Sequence, residues 1–152
     1  MASFDYILKE LSAHIGTPLE QDETGACRIQ ADQELIFHLE MDQQTRLFLI
    51  FTELNQVPPG KFRDDVCKSA LIENGKPEPR NGDLAFSTVS DKLVLFKFIA
   101  IENINFEWFL NFFTLFCEKA FEWKEGVERG ALPTLPEVVG GDAAEMFGLK
   151  KK

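Results

Sequence analysis

Two histidines, three cysteines and a scatter of acidic side chains are the residues of this 152-residue chain whose types could do chemistry. Acid–base catalysis needs an imidazole held within hydrogen-bond reach of a partner. His14 stands near the end of an amphipathic stretch and His38 alternates with Phe37 and Leu39, and no partner lies at a telling spacing from either. Both read as ordinary surface or hydrogen-bonded side chains. Cys27, Cys67 and Cys117 are odd in number, far apart and without a CxxC pair, so they read as reduced core residues and not as a disulfide framework or a zinc site. Glu118, Glu122 and Glu125 recur at near-helical spacing, the mark of a solvated helix face. Gly140 and Gly141 are not followed by the GK[ST] of a phosphate loop. No catalytic residue, cofactor or metal is expected, and the chain reads as a binding protein without enzymatic activity.

Charge narrows the kind of partner. The net charge is −9 at pH 7, and an acidic surface repels phosphate backbones and anionic lipid heads. Nucleic acid is not an expected partner. Stable membrane insertion is not expected either, because the apolar run Leu93–Ile101 is short and carries Lys97. The start MASFDYILKE lacks the basic region and apolar core of a secretory signal, so a cytoplasmic address is expected. A hydrophobic content of 45% over this length suits one domain with a sizeable core.

The elements follow from periodicity and stop signals. The stretch Asn103–Glu125 has the pattern of a long helix, capped at Asn103 or Asn105 and ended by Gly126. Phe106, Phe109, Leu110, Phe113, Cys117 and Ala120 form one apolar stripe; Trp108, Phe112, Leu115, Phe116 and Trp123 form a second. A helix apolar around most of its circumference needs more than one surface to bury against. Phe4–Ile15 is a first helix, with Ser3 as N-cap and Phe4, Ile7, Leu8, Leu11 and Ile15 on its apolar face. Strands are expected at Ala26–Gln30, Glu34–Met41 and Arg46–Leu54, with a turn at Ala31–Gln33. The third is apolar on both faces and is expected at the sheet centre, covered on both sides. Lys61–Glu73 is a second helix, and Asp83–Thr88 with Lys92–Ile99 a second hairpin. Residues 127–152, rich in Gly and Pro, read as a flexible tail with one short turn at Asp142–Phe147, leaving a domain at 1–126. The fold class is α+β: an antiparallel five-stranded sheet with three helices in the order α-β-β-β-α-β-β-α. Apolar residues on both strand faces and around the long helix exceed what a small chain usually hides, which suggests a partner surface.

Ala70–Leu71–Ile72–Glu73–Asn74 closing the second helix, then a loop, then Gly82–Asp83–Leu84–Ala85–Phe86 opening the fourth strand, is the most telling stretch. With the element order and an aromatic last helix ending in Glu122–Trp123, it resembles the class I chaperones of bacterial type III secretion systems. The resemblance covers roughly Phe4 to Trp123, and the general character is similar to that of chlamydial multi-cargo members. It implies a cytoplasmic bacterial homodimer without cofactor that binds the N-terminal region of secreted effectors in extended form. Such a protein keeps the effector soluble and secretion-competent and can present it to the export ATPase. The resemblance places a dimer interface on Phe62, Val66, Cys67, Ala70 and Leu71 of the second helix and on Leu84 and Phe86 of the next strand. The expected effector contacts are Leu8, Leu11, Ile29, Ile36, Leu39, Leu49 and Phe51; alternation divides the strand residues between two faces without saying which is the groove. Two other functions fit the residues: a domain binding a small hydrophobic ligand between the aromatic helix and the sheet, and a regulatory domain of the same fold.

Overall fold

Ser3 accepts a hydrogen bond from the Tyr6 amide and so starts helix α1, Phe4–Ile15, while Gly16 ends it in the left-handed conformation. The computed structural model describes residues 3–31 and 35–132. Three strands follow, β1 (Cys27–Gln30), β2 (Ile36–Asp42) and β3 (Leu47–Gln56), then α2 (Lys61–Asn74), β4 (Asp83–Ser87), β5 (Lys92–Ala100) and α3 (Phe106–Arg129). A short 3₁₀ turn at Ile101–Asn103 links β5 to α3. The strands form one antiparallel sheet in the order β1-β2-β3-β5-β4, so β3 is central, as its two apolar faces predict. The turn expected at Ala31–Gln33 falls largely on residues 32–34, and the expected turn at 142–147 lies beyond 132; both are outside the described residues.

Period-two alternation decides what β3 hides. Phe48, Ile50, Thr52 and Leu54 are buried, whereas Leu47, Leu49, Phe51 and Glu53 between them are only half-buried. The buried row is covered by α1 and α3. Phe4 of α1 stands edge-on to Phe48 at 5.3 Å, and Phe109 of α3 meets the same ring at 5.5 Å. Phe113 and Phe116 reach Phe37 of β2 at 5.7 and 6.1 Å. These edge-to-face contacts suit the ring quadrupoles and tie three elements into one core.

α2 lies at the β4 edge and is bound to the same side. Arg63 sits over the Phe86 ring at 4.5 Å, and Glu73 pairs with Lys119 of α3 at 2.7 Å. The expected cover of β3 on both sides is thus corrected for the described residues: their helices pack against one face only, because the second helix is drawn to the edge strand and not across the sheet.

The last helix also differs from its expected limits. Asn105 is the N-cap, accepting from the Trp108 amide, and the helix passes Gly126 to end at Arg129 with Gly130 left-handed. Gly126 is buried inside the final turn, and Val127 packs into the core. Residues 127–129, read as tail, are therefore the end of α3; a glycine within a well-packed helix costs only about 1 kcal/mol.

Candidate functional site

The second face of the sheet is apolar and carries no covering helix among the described residues. The registers set Ile36, His38 and Glu40 of β2 beside Leu47, Leu49, Phe51 and Glu53 of β3, and these beside Val94, Phe96 and Phe98 of β5. One cross-strand row runs Arg28, His38, Phe51, Phe96, Asp83; the next runs Glu40, Leu49, Phe98. Phe98 is 53% exposed and Ile36 40% exposed, and Leu49, Phe51, Val94 and Phe96 are half-buried by one another. Charged side chains (Arg28, Glu40, Asp42 and Asp83) stand around this floor, and Glu53 stands within it beside Val94. A contiguous apolar patch with a polar rim is the form of a binding surface and not of ordinary solvent-facing sheet.

The two sheet edges are unlike. β1 is an edge strand, able to pair with an added strand through its free backbone groups. At the other edge, Asn74 closes β4: its amide donates to the Leu84 carbonyl and its carbonyl accepts from the Leu84 amide, both at 2.8 Å. From the sequence, Asn74 was a helix stop; its double bond to the edge strand depends on an interelement distance that sequence does not contain. Gly82, which precedes that strand, has φ +118, and a Cβ there would lie 3.0 Å from Leu95 and Phe116 side-chain atoms. Both features account for the Asn and Gly of the stretch on which the family resemblance rests.

The expected effector contacts are split by this geometry. Ile36, Leu49 and Phe51 lie on the open face with His38 between them, whereas Leu8, Leu11 and Leu39 are buried in the core and Ile29 packs against it on the helix side. The sequence reading missed Phe96 and Phe98 as members of the open face; only the pairing of β5 with β3 brings them there. The expected dimer contacts are split likewise. Val66, Ala70 and Leu84 are buried within the single chain, Cys67 and Phe86 are half-buried, and Phe62 and Leu71 are exposed, Leu71 by 71%. Ile72, not singled out from sequence, is exposed beside Leu71.

Among the described residues, no group of three or more His, Cys, Asp or Glu could hold a metal ion. Burial pushes the Cys117 thiol up to about 12, and the Cys27 thiol upward as well, so both stay protonated and weakly nucleophilic. A polar cleft of about 340 Å³ between α3 and the loop after α2 is lined by Glu118, Glu122, Pro77 and Pro79. Lys119 borders it, but its ammonium is fully used by Glu73 and by the carbonyls of Arg80 and Gly82 at 2.8 and 2.9 Å. Phe109, Phe113 and Phe116, candidates for a ligand cavity, pack on one another and on the sheet.

The architecture is that of a type III secretion chaperone. Residues 6–124 match the model of the Tir chaperone protein (CesT) family, and the chain belongs to that family. No curated protein sequence matches it significantly. Several solved structures share the fold. A chain of the HopA1–SchA chaperone–effector complex is 17% identical with a TM-score of 0.66, over 80% of this chain and 93% of that one. One of the ExsC–ExsE complex is 18% identical with a TM-score of 0.61, over 78% and 89%. The Yersinia pestis type III secretion chaperone SycH complex with a YscM2 fragment gives 16%, 0.59, and 79% and 98%. No helix among the described residues is long and apolar enough to cross a membrane.

Proposed function

We propose that this protein is a cytoplasmic chaperone that holds secreted effector chains soluble and secretion-competent, and acts by binding alone. The observation that carries the reading is the apolar face of β2, β3 and β5, which no helix among the described residues covers. Solved relatives of this fold come from a chaperone–effector complex and from a complex of a type III secretion chaperone, in keeping with such a role. The face and the edge favour different parts of a cargo. The face offers side chains only, so it suits the apolar side of a segment whose backbone bonds are satisfied elsewhere; the β1 edge offers backbone groups to an extended N-terminal segment. Homodimer formation through the exposed apolar residues of α2, Phe62 at its start and Leu71 and Ile72 at its end, with Cys67 and Phe86 contributing, would leave the open face of each copy free. The bound effector would then be passed to the export ATPase.

The test uses protein purified from its native cytosol with its co-purifying chains identified. Phe98→Asp is expected to lose the effector while melting temperature and dimer mass stay at wild-type values, since Phe98 is largely exposed. If Phe98→Asp and Ile36→Asp both keep the effector, the face is not the binding surface. If a small apolar molecule is retained and no polypeptide is, the ligand-binding alternative replaces this reading.

A further inference from the structure

We infer that His38 makes cargo binding at the open face acid-sensitive: the face holds an apolar segment while the imidazole is neutral and releases it as the imidazole gains a proton. The inference rests on the open face being the cargo surface, as proposed above, and adds a regulation that an apolar patch alone would not have.

Position is the first ground. Among the described residues, His38 is the one histidine of the floor, flanked there by Ile36 on its own strand and Phe51 on the next. On β2 it lies between Ile36 and Glu40, and across the strands it is paired with Arg28 on one side and Phe51 on the other. Its ring is stacked flat on Phe51, with centroids 4.5 Å apart and planes 6° from parallel. A segment lying over Ile36, Phe51 and Phe96 therefore covers the imidazole too. Covering a neutral imidazole removes little hydration, whereas covering an imidazolium removes strong hydration without a guaranteed counter-charge.

The charges around it are the second ground. β1 presents Arg28, β2 presents Glu40 and β3 presents Glu53; β5 presents only Phe96 and its apolar neighbours in the facing rows, and among the described residues no helix packs on this side. Burial, and then the Arg28 guanidinium, hold His38 below the ordinary histidine value, and Glu40 and Glu53 oppose this without reversing it. Glu53 is also engaged by the Ser90 hydroxyl at 3.0 Å, which limits its turning toward the ring. A docked segment deepens the burial, so the midpoint falls further in the complex. Binding then favours the neutral form, and affinity drops as pH falls below the free-protein midpoint, by up to about tenfold per pH unit until the bound midpoint is reached.

The experiment uses the full chain and one probe, a fluorescent 18-residue amphipathic peptide of leucine, alanine and glutamine, uncharged so that changes in the rim carboxylates matter little. Its affinity is measured from pH 7.5 to 5.5 for wild type, His38→Phe and Phe98→Asp. The imidazole resonance of His38 is titrated with and without peptide. Expected are tight binding at pH 7.5, a fall of threefold or more by pH 5.5 (about half the change that one pH unit gives at the limiting slope), no such fall in His38→Phe, and a lower His38 midpoint in the complex. A wild-type affinity that is flat with pH, a fall that persists in His38→Phe, or an unmoved midpoint on binding overturns the inference while leaving the face as a cargo surface. Absence of binding at pH 7.5, or binding unaffected by Phe98→Asp, overturns the reading of the face and the inference with it. Should His38→Phe fail to fold, the midpoint shift in wild type decides alone.

Discussion

Lys119 shows how single residues hold this fold. Its ammonium is almost wholly buried, and its three donors meet Glu73 and the carbonyls of Arg80 and Gly82. Replacing it leaves two carbonyls unpaired and the Glu73 carboxylate with Lys76 alone, so Lys119→Met is expected to cost about 3 kcal/mol in urea denaturation at pH 7. Glu73 also gives the protein an acid limit. Burial alone would raise its pKa, but the bonds from Lys119 and Lys76 prevail and hold it below the usual value. A depressed carboxylate contributes stability above its unfolded value, about 4.3, and loses it as pH falls through the folded value. Denaturation midpoints are therefore expected to fall below about pH 4.3, and less steeply in Glu73→Gln. A wild-type midpoint constant from pH 7 to 3 would remove this account.

At the scale of elements, the clamp between α2 and β4 and the outer line of α2 do different work. Asn74→Ala removes both bonds to Leu84; a loss of about 1–3 kcal/mol is expected, with faster amide exchange at Leu84 before any effect is seen at β3. Unchanged exchange at Leu84 would show that the side chain does not guard the edge. Along α2, Val66 is fully buried and Leu71 is largely exposed. Val66→Asp is expected to unfold the chain, since a carboxylate would lose its water inside the core, and so it says nothing about assembly. Leu71→Asp is expected to leave the melting temperature within a few degrees and convert the dimer to monomer by light scattering. A dimer that survives Leu71→Asp and Phe62→Asp together places the interface elsewhere.

The molecule as a whole is an acidic body with a core on one side of a sheet and an apolar surface on the other. Its charge of −9 favours solution over self-association of that surface. Where the folded unit ends follows from packing. Leu132 and Val127 both pack against the core, Val127 nearly buried. A chain ending at Leu132 is expected to melt as the full chain does, whereas one ending at Gly126 loses the last turn of α3 and its contact with Asn55 through Glu128, and melts several degrees lower. Equal melting of the two truncations would restore the boundary at Gly126.

The sequence by itself determined the element order, because helix and strand periodicity, the Ser3 and Asn105 caps and the Gly16 stop are local properties of the chain. It also placed β3 at the centre, since a strand apolar on both faces has no stable edge position. What it could not label was the faces. Alternation says that Phe48 and Leu49 point opposite ways, but the side that becomes core depends on where α1 and α3 pack, which is a sum of contacts between residues far apart in the chain. Leu39 and Leu49 therefore looked alike, and the structure put one in the core and the other on the open surface. Phe96 and Phe98 entered that surface only through strand order, and Gly126, a stop signal on local grounds, stayed helical because Val127 beyond it had a place in the core. Tertiary packing decided each of these, because burial of a side chain is a property of its neighbours in space and not of its neighbours in sequence.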